Sequence, residues 1–243
     1  MAIAGLERAV WQESWLSSKF QGIRKTRFSS VRIALLAFRC PVLSAKSLNF
    51  MNKPLILASS SPFRRQLLER LEIPFSVKSP EIDESPRQGE RPRELVVRLA
   101  VEKAQAVSTN HPGTLVIGSD QVALHGQEIV GKPADRDEAI RQLESASGKS
   151  ITLLTGLALV ESDSGRVQSS VVPFKVYFRD LNREVIERYL DREQPYQCCG
   201  SLKSEALGIA LIEKMEGDDP NALIGLPLIE LVNMLTAEGY SIP

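Results

Sequence analysis

Residues that could bind phosphate are concentrated in Leu55–Arg65, whose sequence is L-I-L-A-S-S-S-P-F-R-R. The four apolar residues predict a buried strand. The serines and the proline predict the start of a helix, with Ser61 as N-cap and Pro62 at the first helical position. Arg64 and Arg65 follow at once. Because a helix N-terminus carries unpaired N–H groups and the positive end of the dipole, this stretch is a candidate phosphate site. An ordinary capped junction with solvent-exposed arginines explains the same residues equally well.

Carboxylates and lysines that could complete such a site lie further along the chain. The segment P-E-I-D-E-S-P carries Glu81, Asp83 and Glu84 between two prolines, and a solvated acidic loop is the alternative interpretation. Asp120 follows the apolar run 114–118, which predicts that it lies at the carboxyl end of a buried strand, where open α/β sheets commonly bind ligands. Cations recur at the ends of other predicted elements, at Lys103, Lys132 and Lys203.

Together, these cations, carboxylates and hydroxyls suit a polyphosphate substrate. Arginine and lysine neutralise phosphate oxygens, whereas carboxylates bind a hard divalent cation such as Mg²⁺. Such a cation would bridge the phosphates and acidify a water molecule, and a carboxylate would accept the proton. No serine, histidine or cysteine triad is evident, and the Walker sequence G-x-x-x-x-G-K-[ST] is absent. A covalent acyl mechanism and a P-loop enzyme are therefore disfavoured.

The elements that must position these residues alternate between strands and helices, which predicts an α/β fold with two lobes about a cleft. Strands are predicted at 55–58, 75–78, 128–132, 151–160, 167–179 and 209–212, with the pair 151–160 and 167–179 antiparallel. Helices are predicted at 62–71, 92–108, 135–146, 182–190 and 227–235. No internal repeat and no long linker divides this series.

The composition excludes several classes of protein. With 243 residues, 43% hydrophobic and 25% charged, the chain is typical of a globular protein. No apolar run approaches the roughly 20 residues that cross a bilayer, so we expect no membrane partner. The three cysteines, Cys40, Cys198 and Cys199, form neither a disulfide framework nor a zinc pattern. We therefore expect a reducing compartment and a cytoplasmic location.

The net charge of the chain is zero, but its first 50 residues are basic and the remainder is acidic. Residues 1–50 contain eight Lys or Arg against two Glu, whereas the remainder contains 22 basic and 28 acidic residues. A broadly basic main body is not indicated, so we expect no nucleic-acid polymer as partner. The sequence predicts that residues 1–50 are a basic extension, disordered or loosely helical, that the fold does not require. A targeting leader is the alternative, but no convincing cleavage site follows. The predicted domain is 51–243.

The motifs L-I-L-A-S-S-S-P-F-R-R, P-E-I-D-E, E-K-A, I-G-S-D-Q, G-K-P, T-G and G-S-L-K-S-E occur in this order from about Lys53 to Tyr240. This series resembles that of the Maf family of nucleoside triphosphate pyrophosphatases. The resemblance implies metal-dependent cleavage between the α- and β-phosphates of a nucleotide, which releases a nucleoside monophosphate and pyrophosphate. It also implies homodimers and a mixed sheet flanked by helices around a deep nucleotide cleft, similar to inosine triphosphate pyrophosphatases.

The resemblance also assigns roles to individual residues. Asp120 corresponds to the catalytic proton acceptor, and Glu84 and Asp120 correspond to the carboxylates that face a divalent cation, Mg²⁺ or Mn²⁺. The residues that correspond to the phosphate-binding set are Ser59, Arg64, Arg65, Lys103 and Lys132.

Three positions, Phe63, Gln121 and Glu205, resemble the branch of the family that acts on 7-methyl-GTP. An aromatic ring can stack on a cationic methylated base, and a carboxylate can pair with the guanine donor edge. Each also has a structural interpretation, in which Phe63 is a core residue and the other two bond to backbone. The chain departs from the branch in having Phe63 where tryptophan is usual and Ala206 where glycine is usual. The alternatives are a dTTP/UTP pyrophosphatase and a nucleotide-binding regulator of septum formation.

Overall fold

Seven strands form one mixed sheet in the computed structural model of the chain, which describes residues 52–242. The strand order is β2-β1-β3-β5-β6-β7, and the short β4 pairs with the distal part of β3. β1 is parallel to both β2 and β3, and all other pairs are antiparallel. The strands are β1 (Leu55–Ala58), β2 (Phe75–Lys78), β3 (Leu115–His125), β4 (Glu128–Val130), β5 (Ser150–Glu161), β6 (Val167–Phe178) and β7 (Ile212–Glu216).

Five α-helices cover the two faces of this sheet. Successive residues of β3 point to opposite faces, so Leu115 and Ile117 join one core cluster and Val116 joins another. The first cluster lies against α1 and α5, and the second lies beneath α2. α3 and α4 cover a further cluster that includes parts of β5 and β6. The helices are α1 (Pro62–Glu69), α2 (Pro92–Ser108), α3 (Arg136–Ala146), α4 (Arg183–Glu193) and α5 (Leu228–Ala237).

Two glycines allow α2 to approach the sheet closely. A Cβ atom at Gly118 of β3 would lie 2.0 Å from the carbonyl oxygen of Ala100, and one at Gly156 of β5 would lie 2.1 Å from that of Val96. Both distances are far below any real Cβ contact. Gly156 is the cross-strand partner of Asp120, so this close approach brings the backbone of α2 next to the candidate catalytic carboxylate.

The α/β class and the mixed sheet predicted from the sequence are confirmed, and the antiparallel pair of long strands is confirmed as β5 and β6. The extension predicted at 1–50 lies outside the described residues. No helix between residues 52 and 242 has the length and apolar character that crossing a bilayer demands.

Two local predictions were wrong. β3 does not end near Asp120 but continues to His125, because the polar residues of S-D-Q all find partners inside the protein. Only the parallel pairing with β1 ends at Gly118. The strand predicted at 209–212 is instead a 3₁₀ turn at Leu207–Leu211 followed by β7. The apolar run there is too short to separate the two conformations by periodicity.

Candidate functional site

The side chain of Lys103 brings two carboxylates together. Its Nζ lies 2.7 Å from Asp120 Oδ1 and 2.9 Å from Glu84 Oε1. Lys103 and Asp120 are 5% and 7% exposed, whereas the side chain of Glu84 is 59% exposed. Lys103 reaches this point from α2, Asp120 from β3, and Glu84 from the loop between β2 and α2. Three segments distant in sequence therefore place one cation and two anions at the edge of the core.

The junction between β1 and α1 forms the second part of the site. Ser59 is buried, and its Oγ accepts a hydrogen bond from the backbone N–H of Ser61. Ser61 is the N-cap of α1, and its Oγ accepts from the N–H of Arg64 at 3.4 Å. As predicted, a capped helix N-terminus follows a buried strand, and its positive end is directed at the end of the parallel strands.

Arg64 is turned towards the Lys103 group. Its Nε donates to the carbonyl oxygen of Gly225 at 2.8 Å. Burial lowers the pKa of the Arg64 guanidinium, and the negative charges of Asp120 and Glu84 oppose that shift. An arginine keeps its charge at neutral pH even so. Arg64 therefore adds a second positive charge beside the carboxylates.

Arg65 points elsewhere. Its side chain is 62% exposed and forms an ion pair with Glu69, one helical turn away. It lines an open surface depression of about 410 Å³ together with Ile73, Pro74 and Phe75. Neither Asp120 nor Lys103 lines this depression. The structure thus separates the two adjacent arginines, and the phosphate-binding role of Arg65 stays a prediction.

Lys132 lies in the loop between β4 and α3. It is exposed, and its charge acts on the thiol of Cys199, as do those of Asp120 and Arg64. Burial raises the pKa of this thiol, and the neighbouring lysine opposes the shift. The backbone N–H of Gly200 donates to the carbonyl oxygen of Gly131 at 3.1 Å. This contact ties the Lys132 loop to the segment that carries Cys199.

Gln121 faces the other side of β3 from Asp120. Its Nε2 lies 2.7 Å from the carbonyl oxygen of Ala222, 3.2 Å from that of Leu223 and 2.9 Å from Thr155 Oγ1. The amide nitrogen therefore holds the 3₁₀ turn Pro220–Leu223 against the sheet. Bonding to backbone, the structural interpretation of Gln121, is therefore correct for the amide nitrogen. The amide oxygen remains available to a ligand.

Phe63 and Glu205 are both accessible. Phe63, in the first turn of α1, is partly exposed and belongs to none of the four core clusters formed by the described residues. Glu205 is exposed on the segment between the 3₁₀ turns Cys199–Ser201 and Leu207–Leu211. This segment is held by Glu193 of α4, which accepts from Lys203 Nζ at 2.6 Å and from the N–H of Leu207 at 3.0 Å. Lys203 is therefore engaged in a structural ion pair.

The carboxylate oxygens of Asp120 and Glu84 are suited to a hard divalent cation whose other ligands come from the substrate and water. One oxygen of Asp120 and one of Glu84 contact Lys103, and the second oxygen of each carboxylate forms no hydrogen bond within residues 52–242. In that same range, no three His, Cys, Asp or Glu side chains are grouped closely enough to hold a metal by themselves. Two carboxylates with free oxygens, completed by phosphate oxygens and water, are the coordination that Mg²⁺ typically adopts.

The sequence did not single out Arg98, Glu90 or Cys199. Arg98 and Glu90 form a partly buried ion pair beside the acidic loop, with side chains 13% and 8% exposed. The spacing of Arg98 and Glu102, four residues apart on a predicted helix, was the available signal. Cys199 carried no such signal, because only the fold brings it near Asp120.

A strand-to-helix junction that places cations beside paired carboxylates is typical of α/β proteins that bind phosphate. The family model described as "Maf-like protein" matches residues 54–238, and the chain belongs to the Maf-like family. The matched range agrees with the motif series found between about Lys53 and Tyr240.

Several curated relatives match over nearly their whole length. A protein of Alcanivorax borkumensis is 57% identical over 189 residues, which are 78% of this chain and 96% of the relative. Proteins of Vibrio vulnificus and Nitrosococcus oceani are 55% and 53% identical over 191 and 188 residues. These cover 79% and 77% of this chain and 98% and 94% of the relatives. All three are named 7-methyl-GTP pyrophosphatase.

Proposed function

We propose that this protein hydrolyses 7-methyl-GTP to 7-methyl-GMP and pyrophosphate. The observation that carries the proposal is the contact of buried Lys103 with Asp120 and Glu84, beside Arg64 and the capped start of α1. This arrangement combines cations for a polyphosphate with a carboxylate for a proton. The names of relatives at 53–57% identity support the same substrate.

Each residue of the site has a role that follows from its position. The phosphate oxygens are bound by Arg64, Lys103, Lys132, the hydroxyl of Ser59 and the backbone N–H of Phe63, which forms no hydrogen bond within residues 52–242. Asp120 accepts the proton of the water that attacks the α-phosphorus, as pyrophosphate leaves. Because Asp120 is 7% exposed, its charge is weakly screened and its orientation is fixed by Lys103. Arg65, which is 62% exposed and paired with Glu69, contributes less to phosphate binding than Arg64.

Glu84 and Asp120 are the residues that would hold the divalent cation, Mg²⁺ or Mn²⁺. When bound, this cation supplies positive charge that offsets the negative charge of the phosphates. The side chain of Glu84 is 59% exposed and only its Oε1 pairs with Lys103, so its other oxygen is open to a cation while Oε1 stays on Lys103. With the cation bound, the ammonium group of Lys103 remains in position to bind a phosphate oxygen.

The specificity proposal rests on Phe63, Gln121 and Glu205. Phe63 lies outside the core clusters of the described residues, which favours stacking on the cationic base over a packing role. Glu205 is exposed and free to pair with the donor edge of guanine. Only the amide oxygen of Gln121 serves in this proposal, because its nitrogen holds the turn at 220–223.

A substrate profile of the purified protein tests the proposal. Pyrophosphate release is measured with Mg²⁺ or Mn²⁺ for 7-methyl-GTP, GTP, dTTP and UTP, and the nucleotide product is identified by mass. We expect the highest kcat/KM for 7-methyl-GTP, 7-methyl-GMP as the product, and loss of activity with a chelator. A preference for dTTP or UTP would instead support the pyrimidine alternative.

The homodimer and the cytoplasmic location stay predictions. Light scattering of the purified chain measures the first, and fractionation of cells that express it measures the second. The proposed hydrolysis depends on neither property, because all of the proposed site residues belong to one chain.

A further inference from the structure

Arg98 of α2 is the centre of a hydrogen-bonded network beneath the acidic loop. Its Nε and Nη2 lie 2.6 and 2.8 Å from the two carboxylate oxygens of Glu90. Its Nη1 donates to Glu102 at 2.9 Å, and Nη2 also reaches the carbonyl oxygen of Ser85 at 3.1 Å. All of these bonds are charge-assisted, and the pair with Glu90 is bidentate, a geometry that only arginine provides.

The loop is anchored on both sides of Glu84, by apolar packing on one side and by the Arg98 network on the other. Ile82 packs on the cluster that includes Leu95 and Leu99 of α2, and Ser85 is held through its carbonyl oxygen by Arg98. Glu84 lies between these two anchored residues. Among the described residues, its side chain forms an ion pair only with Lys103. The position of its carboxylate is therefore set by the backbone rather than by side-chain packing.

A second contact strengthens the far end of the loop. The backbone N–H of Arg87 donates to Glu90 at 3.0 Å, and the Arg87 side chain donates to Glu102 at 2.8 Å. The segment from Ser85 to Glu90 is thus closed on itself and attached to α2. Arg98 and Lys103 lie on the same helix, so the anchor of the loop and the partner of Glu84 move together.

We propose that Arg98 is a positioning residue for the reaction, because by holding Ser85 and Glu90 it keeps the carboxylate of Glu84 against Lys103. This inference rests on the proposed function, in which Glu84 is part of the site. Arg98 touches none of the reacting groups and acts through Glu84. A purely structural ion pair would stabilise the fold without changing the catalytic contribution of Glu84.

The test compares Arg98→Met, Arg98→Lys and Arg93→Met. Arg93 lies on the same helix, is exposed, and forms no hydrogen bond or ion pair within residues 52–242, so Arg93→Met is the matched control. We expect kcat of Arg98→Met to fall about 10- to 100-fold with a smaller change in KM, since small misplacements of catalytic groups have effects of this size. Arg98→Lys should recover part of the loss, and Arg93→Met should match the wild type.

A double-mutant cycle with Glu84→Gln shows whether Arg98 acts through Glu84. In the Glu84→Gln background, Arg98→Met should lower kcat by a factor of no more than about 2, because non-additivity marks residues that act as a unit. If Arg98→Met lowers kcat equally in both backgrounds, the proposal is wrong.

Hydrogen exchange separates failure of this inference from failure of the proposed function. Amide exchange of residues 83–90 should be faster in Arg98→Met than in the wild type and in Arg93→Met, whichever nucleotide the protein hydrolyses. Unchanged amide exchange of these residues in Arg98→Met would contradict the proposal that Arg98 holds the loop. If Arg98→Met does not fold, Glu90→Gln removes the same bidentate pair with a smaller change in shape, and the same outcomes apply. Absence of turnover in the wild type would overturn the proposed function alone.

Discussion

Three consecutive residues of β3 have different roles, since two of them hold the fold together and one faces the candidate site. Ser119 Oγ lies 2.8 Å from the carbonyl oxygen of Gly225, Asp120 contacts Lys103, and Gln121 holds the turn at 220–223. Because side chains alternate between the two faces of a strand, Asp120 is directed to α2 while its neighbours support the opposite face. One strand therefore presents the candidate catalytic carboxylate and fixes its surroundings.

Arg64 and Arg65 offer a matched comparison at the residue scale. Arg64→Met should lower kcat/KM for 7-methyl-GTP about 10- to 100-fold, the range expected for a lost hydrogen bond to a charged group. Arg65→Met should cause a clearly smaller loss, because that guanidinium is 62% exposed and paired with Glu69. Steady-state kinetics of both variants measure the difference. A larger loss in Arg65→Met would show that the side chain of Arg65 turns to the substrate when it binds.

The types of the site residues could be predicted from the sequence better than their contacts. The serine-rich junction identified Ser61 as an N-cap, and the structure confirms it. The sequence could not distinguish Arg64 from Arg65, because adjacent helical residues point about 100° apart and only the position of the sheet decides which one faces the site. Likewise, the residue pattern alone did not separate the three acidic residues of one loop. The family resemblance indicated Glu84, and Glu84 is the one that forms an ion pair with Lys103.

At the scale of elements, the approach of α2 to the sheet decides where Lys103 lies. Gly156→Ala would place a Cβ atom 2.1 Å from the carbonyl oxygen of Val96, so the helix must move away. We expect the free energy of unfolding to fall by about 1–3 kcal/mol, as for other overpacked cores, and turnover to fall as Lys103 leaves Asp120.

Thermal unfolding and kinetics of Gly156→Ala, measured beside Gly131→Ala, check this prediction. A Cβ atom added at Gly131 would meet no atom within 4 Å, and the backbone there is not left-handed, so this substitution should leave the unfolding temperature nearly unchanged. Equal unfolding temperatures for the two variants would contradict the proposed role of the close approach.

The acidic loop should respond to pH through Glu90. Its hydrogen bonds with Arg98 lower the pKa of the Glu90 carboxyl to about 2, below the value of about 4.3 in an unfolded chain. The unfolded state therefore binds a proton first as the pH falls, and the stabilisation by Glu90, present above about pH 4.3, is lost towards pH 2. Unfolding temperatures measured between pH 7 and pH 2 should fall less steeply for Glu90→Gln than for the wild type. Parallel curves would contradict this account.

At the scale of the whole molecule, the order of strands and helices followed largely from apolar periodicity and helix caps. What the sequence could not provide was long-range pairing, namely that β3 lies between a parallel partner, β1, and an antiparallel partner, β5. The extended length of β3 depends on tertiary partners for its polar residues, which no local pattern reveals. The convergence of Glu84, Lys103 and Asp120 is a consequence of that pairing.

Residues 1–50 are predicted to be dispensable for the activity. Every contact described in the site lies within residues 52–242, and the family match begins at residue 54. We expect a chain that starts at Met51 to have the same unfolding temperature and the same kcat/KM for 7-methyl-GTP as the full chain. A loss of either would show that the extension contributes to the fold or to the site.

The central claim is that the group formed by Lys103, Asp120 and Glu84 performs the hydrolysis. Turnover of 7-methyl-GTP by Asp120→Asn, measured as pyrophosphate release beside the wild type, tests it most directly. We predict a loss of about 10²- to 10⁴-fold, the usual contribution of a positioned proton acceptor, with an unfolding transition that shows a folded protein. Wild-type turnover in this variant would contradict the account.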